Sequence, residues 1–306
     1  MPSAISTQSG QQGMVVTGAG GFVGRRLLAL AGGHVATLSA RNDRARWLST
    51  LQQGQCVVHL AARVHVMHEA AIDPLTEFRK ANVEMTLALA RMAAMAQVKR
   101  FVFISSVKVN GEATQPGHAF VEDGTCHPQD AYGLSKFEAE QGLRQIAAET
   151  GMEVVIIRPP LVYGPGVKAN FAALMRAVQK GWPLPLGATH NQRSLVALDN
   201  LVDFIITCTT HPKAANQTFL ISDGQDLSTT ELVRGMAQAA GVPTRLLPVP
   251  VWALKWAGRL VGQGDAVQRL CGNLQIDISK AKELLSWTPK ISVQEGLRRA
   301  MNSCVK

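Results

Sequence analysis

The chain has few of the features that mark secreted, membrane-spanning or metal-binding proteins. Its five cysteines are scattered through 306 residues without a CxxC pair, which argues against a disulfide framework or a zinc site. They are Cys56, Cys126, Cys208, Cys271 and Cys304. No apolar run approaches the roughly 20 residues of a membrane helix, and the polar start "MPSAISTQSGQQG" lacks the apolar core of a signal peptide. We therefore expect a cytoplasmic protein with free thiols, no metal, no transmembrane segment and a flexible tail over residues 1–12.

The chain also lacks any block of basic residues, although its net charge is +9. Lysine and arginine are spread along the sequence and are not interleaved with aromatic residues, so nucleic acid is not an expected partner. This charge fits phosphorylated small ligands, or simple solvation of the surface.

Short apolar runs alternate with amphipathic stretches in the first half of the chain. The β-branched runs that we interpret as strands are MVVTG, HVATL, CVVHLAA, RFVFISS and EVVIIRPPLVYG. This alternation predicts an α/β fold with a doubly wound parallel sheet of Rossmann type. We assign residues 13–165 to a dinucleotide-binding domain. Residues 166–306, which begin with loops rich in Gly and Pro, are assigned mainly to a smaller C-terminal substrate lobe with some segments returning to the sheet.

A glycine-rich turn follows the first predicted strand and opens a helix. In "VVTGAGGFVGRRLLAL" the glycines Gly18, Gly21 and Gly24 are spaced GxxGxxG. Gly18 permits a tight turn, Gly21 allows close approach of a pyrophosphate, and Gly24 lets helix and strand pack. With Phe22 and Val23 at the helix start, they form the predicted cofactor loop. A bare glycine triplet could also be an ordinary strand–helix turn, but the strand before it and the helix after it favour a dinucleotide.

The loop after the second predicted strand bears on the choice between NAD and NADP. An acid there holds a free ribose 2′-hydroxyl, whereas an arginine accepts a 2′-phosphate. Arg41 stands at the expected distance in "SARNDRAR", with Arg44 and Arg46 nearby and Asp43 later in the loop. We slightly favour NADP over NAD; the alternative is an exposed arginine-rich loop that binds nothing.

A tyrosine and a lysine four residues apart form the predicted catalytic pair. Tyr132 and Lys136 of "YGLSK" lie on one face of a helical stretch. A tyrosine with a pKa near 10 is a poor acid or base at neutral pH, and a nearby ammonium would lower that pKa. A serine from "RFVFISS" reaching the same substrate oxygen would complete a proton-transfer site.

These motifs together resemble the extended short-chain dehydrogenase/reductase family of nucleotide-sugar epimerases, dehydratases and reductases. The segments that carry the resemblance are spread along nearly the whole chain. They are TGAGGFVG, VVHLAA, NVEMT, YGLSK, RPPLVYGPG, NQRSLVALDNL and DISKAKELLSWTP. The resemblance implies that Ser106, Tyr132 and Lys136 are catalytic. It implies cofactor contacts, beyond the glycine loop and the catalytic pair, from Leu60, Ala61, Ala62, Asn82 and Pro159. It implies substrate contacts from Ser106, Tyr132, Asn170, Arg193 and Arg269.

Within this family, "SSVKVNGE", "AARVHVMHE" and "LVYGPGVKANF" are most similar to a bacterial surface-polysaccharide branch whose members are often called UDP-glucose 4-epimerase-like. Some of that branch reduce a UDP-4-keto-6-deoxy-N-acetylhexosamine with NAD(P)H, in O-antigen-type precursor synthesis, and we expect this reaction. The alternatives are a UDP-hexose 4-epimerase with retained NAD and a non-catalytic cofactor-binding protein. Family analogy also implies a homodimer built by the long helices.

Two positions separate this chain from the 4,6-dehydratases of the family. Those enzymes carry Asp and Glu after the catalytic hydroxyl, where this chain has Val107 and Lys108. Elimination of water is therefore not expected, and Lys108 is predicted to face the anionic substrate. Asn110 replaces a usual tyrosine without an evident reason. The segment after the second strand is also short, which implies a trimmed sheet or a rebuilt adenine pocket.

Overall fold

The computed structural model describes residues 13–39, 44–64, 73–260 and 262–303, so the predicted tail and Arg41 lie outside the described residues. The strands are β1 Met14–Thr17, β2 Val35–Leu38, β3 Cys56–His59, β4 Arg100–Ile104, β5 Glu153–Arg158, β6 Leu161–Tyr163, β7 Leu195–Ala197 and β8 Thr218–Leu220. The α-helices are α1 Phe22–Leu30, α2 Arg44–Leu51, α3 Pro74–Phe78, α4 Met85–Met95, α5 Ala131–Thr150, α6 Ala169–Gln179, α7 Leu198–Thr210, α8 Thr229–Ala240, α9 Val251–Leu260, α10 Gly264–Cys271, α11 Ser279–Leu285 and α12 Val293–Asn302. A π-helical turn, Arg79–Glu84, joins α3 to α4.

The main sheet confirms the predicted doubly wound parallel fold. Its six strands lie in the order β2-β1-β3-β4-β5-β8, and every neighbouring pair is parallel. The chain reverses its direction of winding between β1 and β3, because β2 is added on one side and β3 on the other. The crevice at the carboxyl ends of these two strands is where such sheets bind ligands.

Alternating residues of the strands fill two cores, one on each face of the sheet. Val16, Val58 and Val102 pack on one face with α1 and α7, and Val15 and Phe101 pack on the other with α2, α4 and α5. Burial on both faces explains why the strands are continuous apolar runs rather than alternating patterns.

The short segment after β2 folds as a helix. Trp47 and Leu51 of α2 are buried in the core, and the Trp47 indole N–H donates to the Ser39 carbonyl oxygen at 3.1 Å. Among the described residues, β2 is therefore the edge strand on this side, and the sheet is trimmed as the short segment implied.

The second half of the chain builds a smaller layer beyond the strand ends. β6 and β7 pair in parallel there, and a separate apolar cluster surrounds Tyr163, Met175 and Leu297. β8 returns to the main sheet beside β5. Within the described ranges, no helix is both long and apolar enough to span a bilayer.

Candidate active site

The glycine loop is shaped by close backbone contacts. Gly18 has φ +69°, and a Cβ on it would stand 2.7 Å from the Ala61 nitrogen. A Cβ on Gly24 would stand 2.3 Å from the Gly18 carbonyl oxygen. Both positions are thus closed to any larger residue.

The start of α1 faces a cleft and leaves its first N–H groups available. Gly21 caps the helix without a side-chain hydrogen bond, and Phe22 and Val23 direct their side chains into the core. The cleft has a volume of about 900 Å³ and is bounded by Gly18, Ala61 and Ala62 among others. Uncapped N–H groups, a helix dipole and this volume fit the pyrophosphate of a dinucleotide.

Asn82 connects two segments that lie beside this cleft. Its side-chain oxygen accepts from the Arg63 backbone N–H at 2.8 Å, and its amide donates to the Arg63 carbonyl at 3.0 Å and to the Ser135 hydroxyl at 3.0 Å. The residue is fully buried inside the π-helical turn. Asn82 therefore ties the loop after β3 to α5 through side-chain bonds rather than by touching the cleft itself.

His59 joins the strands and the helix that line the cleft, a role that the sequence motifs did not indicate. Its ring shares hydrogen bonds with Thr17 at 2.7 Å and Thr86 at 2.9 Å. Burial, aided by the charge of Lys136, lowers the pKa of His59 to about 3. The neutral ring thus links β1, β3 and α4, and the only sequence signal was a histidine at the end of a buried strand.

The first turn of α5, which carries Tyr132, packs against the segment that follows Ser106. Asp130 caps the helix by accepting from the Gly133 N–H at 2.6 Å. A Cβ on Gly133 would stand 2.9 Å from the Lys108 carbonyl oxygen, so this glycine permits the close approach. The half-buried Tyr132 ring packs edge-on against Phe78 at a centroid distance of 6.0 Å.

Lys136 lies one turn further along α5 and is buried. Its ammonium donates to the carbonyl oxygen of Ile104, the last residue of β4, at 2.8 Å, and lies 4.5 Å from the centre of the Phe103 ring. Burial lowers the pKa of Lys136 to about 7, and the nearby Glu140 offsets part of that effect.

The predicted electrostatic effect of the lysine on the tyrosine is not what the structure shows. Burial raises the pKa of Tyr132 well above its usual value, and the charge of Asp130 raises it further. Removal from water disfavours the phenolate more than the predicted attraction to Lys136 favours it. In this arrangement Tyr132 stays protonated at neutral pH and can donate its proton only to an oxygen as basic as an alkoxide.

The lowered pKa of Lys136 predicts a pH dependence of stability. The unfolded lysine, with a pKa near 10.4, binds a proton that the folded one releases above about pH 7. The contribution of Lys136 to the free energy of unfolding should therefore increase as pH rises from 7 to about 10. Because the buried thiols of Cys56 and Cys208 contribute in the opposite direction, the test is the difference between the two proteins in urea unfolding. The free energy of unfolding of the parent minus that of Lys136→Met should increase from pH 7 to about 10; parallel curves would contradict the prediction.

Ser105 and Ser106 have different surroundings at the end of β4. Ser105 is buried, and its hydroxyl donates to Glu140 at 2.6 Å while its N–H continues the ladder to the Ile157 carbonyl at 2.7 Å. Ser106 is half-buried, and its hydroxyl accepts from the Lys108 N–H at 3.3 Å. The prediction that Ser105 completes the strand and Ser106 is the available hydroxyl is consistent with these contacts.

A buried ion pair holds the serine segment in place and explains Asn110. Arg158 and Glu140 are both nearly inaccessible and form paired bonds of 2.9 and 2.6 Å. Arg158 also donates to the Asn110 side-chain oxygen at 3.1 Å, and the Asn110 amide donates to the Val121 carbonyl at 3.1 Å. The asparagine thus satisfies a buried arginine.

The two positions after Ser106 carry no acid. Val107 is buried in a small apolar cluster. The Lys108 ammonium donates to Glu112 at 2.8 Å and to Asp130 at 2.5 Å, and these bonds offset burial and raise its pKa. Its charge is thus neutralised by two carboxylates, and the substrate contact predicted for it stays a prediction.

The other predicted substrate residues lie in the second lobe. Arg193 donates to the Gly272 carbonyl at 3.0 Å; burial lowers its pKa, the charge of Glu112 raises it and that of Arg269 lowers it. The two arginines are therefore electrostatic neighbours, although they are 76 residues apart in the sequence. Asn170 is exposed in the first turn of α6.

The remaining residues that were predicted to contact the cofactor lie in different places relative to the cleft. Leu60 is partly buried against the core, and the carbonyl of the buried Pro159 accepts from the Val107 N–H at 3.0 Å. Arg41 cannot be placed, because it lies outside the described residues. Arg46, from the same loop region, is exposed at the edge of the cleft beside Ser39 and Thr50.

Comparison of the sequence with known proteins identifies a family and several relatives. The model of the NAD dependent epimerase/dehydratase family matches residues 14–222. The chain is 49% identical to a UDP-glucose 4-epimerase of Vibrio cholerae, over 94% of this chain and 93% of that one. It is 26% identical to an N-acetyl-α-D-glucosaminyl-diphospho-ditrans,octacis-undecaprenol 4-epimerase of Escherichia coli O157:H7, over 94% of both chains.

Solved structures share the fold. RMD from Pseudomonas aeruginosa complexed with NADPH superposes with a TM-score of 0.76 at 22% identity, covering 96% of this chain and all of that one.

Proposed function

Because this chain belongs to the NAD-dependent epimerase/dehydratase family, we propose that it exchanges hydride and proton at C4 of a UDP-linked hexose, as a 4-reductase of a 4-keto-6-deoxy-N-acetylhexosamine. The supporting observation is the close packing of the first turn of α5, which holds Tyr132 and Gly133, on the backbone of Lys108, two residues after Ser106. The backbone that carries Tyr132 thus lies next to the segment that carries Ser106, while the positions that would carry an elimination acid and base hold Val107 and a neutralised Lys108.

The protein groups supply the proton and hold the oxygen. A nicotinamide cofactor held in the cleft by the glycine loop would supply the hydride for the 4-keto carbon. Tyr132 donates its proton to the alkoxide oxygen that forms, and Ser106 hydrogen-bonds the same oxygen. Lys136, held by the Ile104 carbonyl one helical turn after Tyr132, supplies positive charge to the site below its pKa of about 7. Much of the rate enhancement comes from holding the carbonyl in line with these groups.

Arg46 supports NADP as the cofactor. Its position at the open side of the cleft, with Ser39 and Thr50, suits the extra phosphate of NADPH.

Arg193 and Arg269 support a nucleotide-linked substrate. Two guanidinium groups close enough to influence one another form a site for a diphosphate, because each can donate two parallel hydrogen bonds. Asn170, exposed at the start of α6, remains a predicted substrate contact, and the homodimer remains a prediction from family analogy.

A 4-epimerase is the second candidate function, and the 49% identity to the Vibrio cholerae enzyme favours it. The same residues would serve it, but Tyr132 would have to start as a phenolate, against its raised pKa, to remove the 4-hydroxyl proton and then return it. The hydride would leave C4 and return to its other face without net consumption of the cofactor.

Cofactor stoichiometry separates the two functions. The purified protein is supplied with NADPH or NADH and either the UDP-4-keto sugar or pairs of UDP-hexoses, and absorbance at 340 nm is followed. A reductase consumes one reduced cofactor for each 4-keto sugar converted. Interconversion of two UDP-hexoses without consumption would establish the epimerase and refute the reductase, and no turnover of either kind would refute both.

A further inference from the structure

Helix α9 exposes an apolar face that the proposed active site does not use. Trp252, Trp256 and Leu260 follow one another at intervals of four residues and are 74%, 65% and 67% exposed. At 100° per residue they lie within one 80° sector of the helix. We call these three residues the tryptophan face. Leu254 packs inward against the lobe, and Gly258 lies against Val267 of α10, so the face points away from the protein.

A neighbouring loop adds to the exposed apolar surface. Leu184 exchanges backbone hydrogen bonds with Arg245 and Leu247, the segment that leads directly into α9. Trp182 and Leu247 on these two segments are 57% and 50% exposed. Large exposed apolar residues gathered in this way indicate an interaction surface.

The two segments that carry this apolar surface contain no acidic residue, although two of their basic residues, Arg158 and Arg193, are buried elsewhere. Residues 154–198 and 232–264 contain nine lysines and arginines and no aspartate or glutamate. The rest of the chain holds the other 22 basic residues against all 22 acidic ones, so these two segments account for the whole net charge of +9. Within the described part of the chain, the exposed basic residues next to the apolar ones form no ion pair with an acid; they are Lys180, Arg245, Lys255 and Arg259.

We propose that the tryptophan face of α9 docks on the surface of an anionic lipid bilayer. A surface helix with tryptophan and leucine on one sector and lysine and arginine at its border is the pattern of an interfacial helix. Indole rings lie at the headgroup level, the basic side chains reach the lipid phosphates, and the helix remains parallel to the membrane plane.

Charge favours a membrane over a second copy of this chain. A symmetric contact through α9 would bring Lys255 and Arg259 of one protomer against the same residues of its partner. The acid-free segments around the face would repel their own copies, whereas anionic lipid attracts them. Because α10 packs on α9 and carries Arg269, docking would hold the second lobe next to the bilayer.

Vesicle co-sedimentation of the full chain tests the proposal. Phosphatidylcholine vesicles with and without phosphatidylglycerol are compared, and indole fluorescence is recorded. Binding only to the anionic vesicles, weakened by high salt and accompanied by a blue shift, is the expected result. Trp252→Ala/Trp256→Ala should lower the partition coefficient by about tenfold or more, and Lys255→Gln/Arg259→Gln should lower it severalfold.

Leu30→Ala/Met95→Ala is the matched control, because these residues are 44% and 76% exposed on α1 and α4. It should bind vesicles as the parent does, and all variants should keep the activity toward a soluble UDP-sugar, which separates this proposal from the proposed function. Absence of parent binding to anionic vesicles, or equal binding by the tryptophan variant, would overturn it. Loss of self-association in that variant, without vesicle binding, would assign the face to a second copy instead.

Discussion

Replacing Tyr132 by phenylalanine is expected to lower kcat by about 10²–10⁴-fold. The substitution removes the hydroxyl that donates the proton and keeps the ring, whose edge-on packing against Phe78 maintains the local fold. The pKa of this hydroxyl is raised by burial, so the parent donates from its neutral form over the whole neutral range. Steady-state kinetics with the preferred UDP-sugar, together with cofactor titration, measure the effect; cofactor affinity should change little.

The chain offers a control in its other tyrosine, Tyr163, which is fully buried. The Tyr163 hydroxyl donates to Asp223 at 2.7 Å, away from the cleft. Tyr163→Phe should cost about 1–3 kcal/mol of stability through the weakened contact of a buried carboxylate and should leave kcat near the parent value. Full activity of Tyr132→Phe, or equal loss in the two variants, would show that Tyr132 is not the proton donor.

Loss of the buried carboxylate of Glu140 is expected to be the largest single effect on stability. Glu140→Gln leaves the Arg158 guanidinium, which is 1% exposed, without its main counter-charge. Breaking a buried pair in this way costs about 3–5 kcal/mol. The same change weakens the anchor of Ser105, which precedes the proposed catalytic hydroxyl. Urea unfolding monitored by circular dichroism would measure it.

Glu138→Gln is the matched control, because it removes a carboxylate two residues away on the same helix. Glu138 pairs with Arg79 at the surface, where solvent screens the interaction, so little stability should be lost. In a double-mutant cycle, Arg158→Met should cost much less in the Glu140→Gln background than alone. Additive costs would show that the two residues are not coupled.

The parallel sheet and the glycine loop were predictable because local rules determine them. Continuous β-branched strands require burial on both faces, and the spacing of Gly18, Gly21 and Gly24 follows from contacts within a few residues and with the adjacent strand. The same is true of the helical spacing of Tyr132 and Lys136.

Other features depended on contacts between distant segments, which the sequence does not display. Asn110 is explained only by Arg158, which comes 48 residues later. The pairing of Lys108 with Asp130, which caps α5, was not predicted, and the predicted substrate contact of Lys108 stays a prediction. The pKa of Tyr132 was predicted to fall beside Lys136, and the degree of burial, which depends on the whole fold, reversed the direction.

The origin of the hydrogen at C4 of the product tests the central claim most directly. The reaction is run in D₂O with unlabelled substrate and cofactor, and in H₂O with the reduced cofactor deuterated at its C4 position, and the product is examined by NMR. Exchange of hydride and proton at C4 predicts no solvent deuterium on that carbon, with deuterium from the cofactor in a reductase or the substrate's own hydrogen in an epimerase. Solvent deuterium at C4 would contradict the account, because the hydrogen would then have travelled as a proton.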